Sequence, residues 1–194
     1  MDTHAKRFVW LVAALVLGGP VSAQGLSKET GPARIIKMFD FFCLSQLPDL
    51  DSVRKAAGFG EFAQITGKEL EQYQFTVPAD ELYAWSFHDL GARYVLTAAK
   101  SKPDEELKRS APAFAKSTGV TCSLSFPSEE PAEALSKELV ARLRRAPDKS
   151  WEEGAMRVYA WSDKTDRLLS HVHYYAPTKT GLQSVLSARA FIKD

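Results

Sequence analysis

Ala155-Met156-Arg157-Val158-Tyr159-Ala160-Trp161-Ser162, Asp163-Lys164-Thr165-Asp166, Arg167-Leu168-Leu169-Ser170-His171-Val172-His173-Tyr174-Tyr175-Ala176: the reading of this stretch decides the fold. Two runs rich in aromatic and β-branched residues flank a polar turn, which is the composition of a hairpin. Leu182–Ile192 continues the pattern as a last strand. Upstream, Val120–Phe126 reads as another strand, and Glu81–His88 and Arg93–Ala99 flank Asp89-Leu90-Gly91 as a second hairpin.

Helical periodicity appears elsewhere. Ile35, Met38, Phe39 and Phe42 have the i, i+3, i+4, i+7 spacing of a buried face, so a helix is expected from Pro32 to Ser45, with Thr30 as cap. Asp49 or Asp51 caps a second helix reaching Ala57, with Gly58 as its terminating residue. Phe59–Val77 is mixed, with a short helix near Lys68–Gln74. Pro103-Asp104-Glu105-Glu106 opens a helix limited by Pro112. Ser128 is expected to cap a helix over Glu129–Ala146, with Ala132, Leu135, Leu139 and Leu143 on its core face. Helices beside a mainly antiparallel sheet of about five or six strands give an α+β domain, with the helices packed on one face.

Residues 1–23 read differently. Lys6-Arg7 precede the apolar run Phe8–Leu17, and Val21-Ser22-Ala23 ends it with small residues. This is the pattern of a cleaved secretory signal, leaving residues 24–194 as a single periplasmic or secreted domain. Its apolar run is short of the roughly 20 residues needed to span a bilayer, and no later run is long enough, so no transmembrane segment is expected after cleavage. Removing Lys6, Arg7 and Asp2 from the 25 basic and 24 acidic residues leaves 23 of each. That balance excludes the basic footprint of a nucleic-acid binder. Arg142, Arg144 and Arg145 form the one tight basic cluster, at a helix end where cations complement the terminal carbonyls.

Cys43 and Cys122 are the two cysteines of the chain. In an oxidising compartment they are expected to pair, stapling the N-terminal helix to the sheet. Closing a loop of about 80 residues implies roughly 4–5 kcal/mol in the chain-entropy model. Phe39-x-x-x-Cys43, Leu47-Pro48-Asp49, Ala56-Ala57-Gly58-Phe59 and Cys122-Ser123-Leu124 together resemble a pattern in small exported proteobacterial proteins of unknown function. That resemblance implies an extracytoplasmic, disulfide-stapled fold and carries over no catalytic residue.

His171-Val172-His173 is the sharpest polar constellation. In a strand both imidazoles share a face and can approach one metal ion. A zinc site needs three or four ligands, and His88 is the candidate third. The turn register decides which aromatic residues accompany the histidines. A bulge at Asp166 puts Tyr159 and Trp161 with them as a binding face; a four-residue loop separates them, because a one-residue slip reverses every side chain. An aromatic core is the competing reading of the same residues. Paired carboxylates at Glu105-Glu106, Glu129-Glu130 and Glu152-Glu153 suit helix starts and solvated loops. No G-x-S-x-G elbow or phosphate-binding glycine loop occurs. No catalytic residue and no cofactor are assigned. The expected function is a monomeric, non-enzymatic binding or interaction protein, inhibitor- or immunity-like, with an unknown protein or small ligand of the cell envelope as partner. The alternative is a small periplasmic metal-binding protein or hydrolase using His171 and His173. Tyr83-Ala84-Trp85-Ser86 against Tyr159-Ala160-Trp161-Ser162 is the nearest thing to a repeat, and reads as coincidence of strand-type composition.

Overall fold

Eight strands, rather than five or six, form one sheet in the computed structural model, which describes residues 30–73 and 79–193. In chain order they are β1 (Ala63–Ile65), β2 (Glu81–Asp89), β3 (Ala92–Ser101), β4 (Thr118–Pro127), β5 (Lys149–Glu153), β6 (Met156–Lys164), β7 (Leu168–Pro177) and β8 (Gln183–Ile192). Across the sheet they run β1-β2-β3-β4-β8-β7-β6-β5. Every neighbouring pair is antiparallel. The two strands missed from sequence are the edges. β1 has three residues, and all five residues of β5 are exposed, so neither shows the apolar alternation that marks a half-buried strand. The expected signal peptide, residues 1–23, lies outside the described residues.

Five helices accompany the sheet among the described residues: α1 (Gly31–Phe39), α2 (Leu50–Phe59), α3 (Gly67–Glu71), α4 (Glu105–Ser110) and α5 (Ala132–Leu143). α1 continues into a π-helical turn over Asp40–Leu44, so the expected helix 32–45 changes its winding midway. The wider turn directs Phe42 and Cys43, neighbours in sequence, both into the core beside Phe39. Asp49 caps α2 by accepting from the backbone N–H groups of Asp51 and Ser52. α2 runs past Gly58 to Gly60, its C-cap. Thr30 makes no capping hydrogen bond. α5 is shorter than expected at both ends. Ser128 does not cap it; its hydroxyl lies 2.7 Å from that of Ser184 instead. Arg144, at φ 57°, takes the left-handed conformation that ends the helix.

α1, the π-helical turn, α2 and α5 cover one face of the sheet. Leu96, Ala98, Cys122, Leu124, Leu186 and Ala188 point toward them and are almost fully buried. The Cys43–Cys122 disulfide joins the π-helical turn to β4, with the Cα atoms 5.3 Å apart. Arg34 of α1 clamps Asp89 at the end of β2 through Nε at 2.6 Å and Nη2 at 2.5 Å. Arg142, near the end of α5, bonds Asp40 at 2.5 Å. The other face is covered in two places. Leu70 and Tyr73 pack over Ile65, Ala84 and Val95. Phe114, in a 3-10 turn at Pro112–Phe114 after α4, packs over Leu169 and Phe191.

The two Tyr-Ala-Trp-Ser segments occupy equivalent positions in the sheet. Trp85 pairs with Leu96 in the β2–β3 hairpin and Trp161 with Val172 in the β6–β7 hairpin. Every pair of the second hairpin is the first displaced by 161 − 85 = 76 residues, through to the turns at Leu90-Gly91 and Asp166-Arg167. Each half of the sheet has an outer strand, a hairpin and an inner strand. The inner strands β4 and β8 meet with Ser123 opposite Ser187, so the sheet has a pseudo-two-fold axis through that pair.

Candidate binding face

Period-two geometry sorts β7. Val172, Tyr174 and Ala176 enter the helix-side core, so His171, His173 and Tyr175 lie on the opposite face. Pairing adds neighbours from both sides. His171 sits between Ser162 and Arg189, His173 between Ala160 and Ser187, and Tyr175 between Val158 and Val185. Ser162 beside His171, and Ala160 and Ser187 beside His173, leave room for the rings. The His171 and His173 ring centroids are 6.3 Å apart, and those of His173 and Tyr175 5.8 Å. Trp151, on edge strand β5, presents an edge-on contact to His173 at 6.3 Å.

Hydrogen bonding holds this row. The Ser162 hydroxyl is 3.0 Å from His171 Nδ1, and the Tyr175 hydroxyl 3.4 Å from His173 Nδ1. Arg189 lies over the Phe191 ring at 4.4 Å and donates to Ser101 Oγ at 3.1 Å, to the Lys102 carbonyl at 3.2 Å and to Asp104 at 3.4 Å. His171 Nε2 and Arg189 Nε are buried without a hydrogen-bond partner. Burial lowers the pKa of both histidines. For His171 the Arg189 charge adds to that effect and Asp104 opposes it; for His173, His171 and Arg189 both add. Both shifts favour the uncharged imidazole over the imidazolium. Burial likewise raises the Tyr175 phenol.

The expected site residues separate. Trp161 is 1 % exposed, in the helix-side core, where its indole N–H donates to the Arg145 carbonyl at 3.1 Å. Tyr159 stacks on Tyr174 at 5.8 Å on the same side. Neither shares a face with the histidines. The cause is the turn. Strand pairing continues through Asp163 and Lys164, and the chain reverses at Asp166-Arg167. Thr165 fixes that position, its hydroxyl accepting from the N–H groups of Arg167 at 3.4 Å and Leu168 at 3.0 Å. His88 shares the histidine face by parity but belongs to β2, four strand spacings from β7, or about 19 Å at ~4.8 Å per strand. Among the described residues, no group of three or more His, Cys, Asp or Glu is placed to hold a metal ion.

Trp151, Ser162, Tyr175 and Arg189 complete the row. Arg189 had a readable signal: a lone charge between Ala188 and Ala190 in an apolar strand. Trp151 had none, because its strand is wholly exposed. Chemically, the row offers imidazoles, a phenol and an indole edge on a rigid sheet. Ser162 and His171 resemble a nucleophile–base pair, but the second imidazole nitrogen has no carboxylate to orient it or to stabilise an imidazolium. No family model, curated protein or solved structure matches the chain.

Proposed function

We propose that the chain is an exported, non-enzymatic binding protein, and that the row Trp151, His171, His173 and Tyr175 is its recognition face. The observation that carries this reading is the row itself: two imidazoles flanked by aromatic rings, partly open to solvent, on a sheet backed by the helix-side core. Flat aromatic groups on a rigid scaffold bind with little loss of side-chain freedom. The leader-like first 23 residues and the Cys43–Cys122 bond support an oxidising, extracytoplasmic setting, as does the resemblance to small exported proteins. No helix among the described residues is long and apolar enough to cross a membrane.

The test is site-specific photocrosslinking in intact cells. A benzophenone side chain in place of Trp151 gives a discrete adduct, and the same group at Phe59, 85 % exposed on α2, does not. Absence of any adduct at Trp151, or equal adducts at both sites, refutes the recognition face. Stoichiometric zinc or copper in untagged protein, lost on His171→Ala, replaces this reading with the metal-binding alternative.

A further inference from the structure

The pseudo-two-fold sheet allows its halves to be compared position by position, and the comparison exposes a second site on the helix side. In the β2–β4 half, Phe87, Tyr94 and Phe126 stack in sequence, at 5.2 Å and 6.3 Å between centroids. Phe62 lies flat on Phe87 at 3.9 Å, and Phe42 closes the cluster. The corresponding positions of the other half are Asp163 for Phe87, Ser170 for Tyr94 and Ala190 for Phe126. Ala188 likewise stands where the first half has Leu124. Leu168 in place of Ala92 restores only part of the lost volume. What remains is a cleft of about 290 Å³ between the sheet, the end of α5 and the segment after the π-helical turn.

Its walls have a definite chemistry. Trp161, Val172, Ala188, Ala190, Leu44 and Leu143 make an apolar interior. Arg142 and Arg145 stand at the mouth with Asp163, and Ser170 also lines the cleft. Each guanidinium has one nearby carboxylate partner, Asp40 for Arg142 and Asp148 for Arg145, and Arg145 also donates to the Ser162 carbonyl. A guanidinium carries five N–H donors, so both retain donors for another acceptor. The volume lies at the lower end of small-molecule sites, too small for a peptide segment or a long acyl chain.

We infer that this cleft binds a small carboxylate with a flat apolar body, the ring taking the space left by the truncated side chains and the carboxylate meeting Arg142 and Arg145. The cleft opens on the helix side of the sheet, and His171 and Arg189, which belong to the row on the opposite face, also border it. Trp161 reports occupancy directly, because its N–H group is fixed against the Arg145 carbonyl at the mouth.

Titrating 3-phenylpropanoate into the isotope-labelled exported protein shifts the Trp161 indole N–H resonance saturably, and 3-phenylpropanol, the uncharged analogue, binds several-fold more weakly. Installing the first-half residues as Ala188→Leu with Ala190→Phe abolishes the shift while the amide spectrum stays that of a folded protein. Ser170→Tyr fills the same cleft from β7 and gives the same result if the double variant does not fold. No saturable shift at millimolar probe, equal affinity for acid and alcohol, or undiminished binding in a folded filled variant overturns the inference.

Discussion

Gly119→Ala is a one-carbon perturbation whose sign depends on the packing of the face opposite the helices. Gly119 pairs directly with Phe191 across β4 and β8. A Cβ built on Gly119 falls 2.4 Å from Phe191 Cε1, with two further ring atoms at 2.7 and 2.8 Å. The ring has nowhere to retreat: it is fully buried with Ala111, Phe114 and Leu169, and Arg189 lies over it at 4.4 Å. Overpacking of this kind costs about 1–3 kcal/mol. The backbone of Gly119 is not in the left-handed region, so alanine is unstrained there and recovers about 0.4–1 kcal/mol by restricting the unfolded chain. The net loss is about 1–2 kcal/mol, or a fall in melting temperature of about 2–8 °C for a domain of this size. Thermal unfolding of the oxidised protein measures it. In a double-mutant cycle with Phe191→Leu, the two losses sum to more than the loss in the double variant, because the smaller side chain relieves the clash. An unchanged or raised melting temperature for Gly119→Ala would refute this account of the face.

Trp161→Ala removes a fully buried indole and lowers stability by about 3–5 kcal/mol, whereas Trp151→Ala, at 41 % exposure on the edge strand, changes it by no more than about 0.5 kcal/mol; calorimetry giving similar losses for both would overturn the assignment of the two faces. Cys43→Ser with Cys122→Ser opens a crosslink of sequence separation 79 and costs about 2–4 kcal/mol, so a reductant that leaves the melting curve unchanged shows that the bond does not stabilise the fold. His171 and His173 have folded-state pKa values below the ordinary one, so the unfolded chain takes up protons first as pH falls. Their stabilising contribution is therefore complete well above the unfolded value of about 6.5 and declines as pH drops through it. The melting temperature falls between pH 7 and pH 5, and His171→Gln with His173→Gln flattens that slope; an equally steep slope in the variant places the titration elsewhere.

Sequence reading was strongest where local chemistry and periodicity agreed. The Asp89-Leu90-Gly91 hairpin was legible because a two-residue turn with both residues at positive φ, Leu90 at 49° and Gly91 at 84°, wants glycine and fixes the register. The inner strands, the α1 face and the cysteine staple were legible for similar reasons. The β6–β7 turn was not. Asp163, Lys164, Thr165 and Asp166 are all polar, and composition cannot say that the first two extend the strand while the Thr165 hydroxyl organises the reversal. That ambiguity set the fate of the candidate site. Because side chains alternate, the register moved Tyr159 and Trp161 to the face opposite His171 and His173, although the histidines stayed together under any register. His88 failed for a different reason: strand order is a long-range property, and three strands lie between β2 and β7, which composition places on one face.

The structural equivalence of the halves was hidden by geometry as much as by side-chain differences. Between the hairpins the halves are offset by 76 residues. Between the inner strands the offset is 186 − 122 = 64, because Cys122 and Leu186 occupy equivalent positions. The difference is accommodated in the connection between β3 and β4, which carries α4 and the 3-10 turn, whereas β7 and β8 are joined by a short loop. A search at any fixed period therefore aligns only part of each half. What survives is Tyr-Ala-Trp-Ser, whose tyrosine and tryptophan face the helices in both halves. Four positions where large side chains of one half give way to small or polar ones are Phe87, Tyr94, Leu124 and Phe126 against Asp163, Ser170, Ala188 and Ala190. They cluster at one end of the helix-facing surface, where one half is filled by stacked rings and the other is open. Random loss of core volume would destabilise each site separately at about 2–5 kcal/mol per large-to-alanine change. Four such changes bordering one cleft with guanidinium groups at the mouth are the pattern expected of a core given over to holding something else.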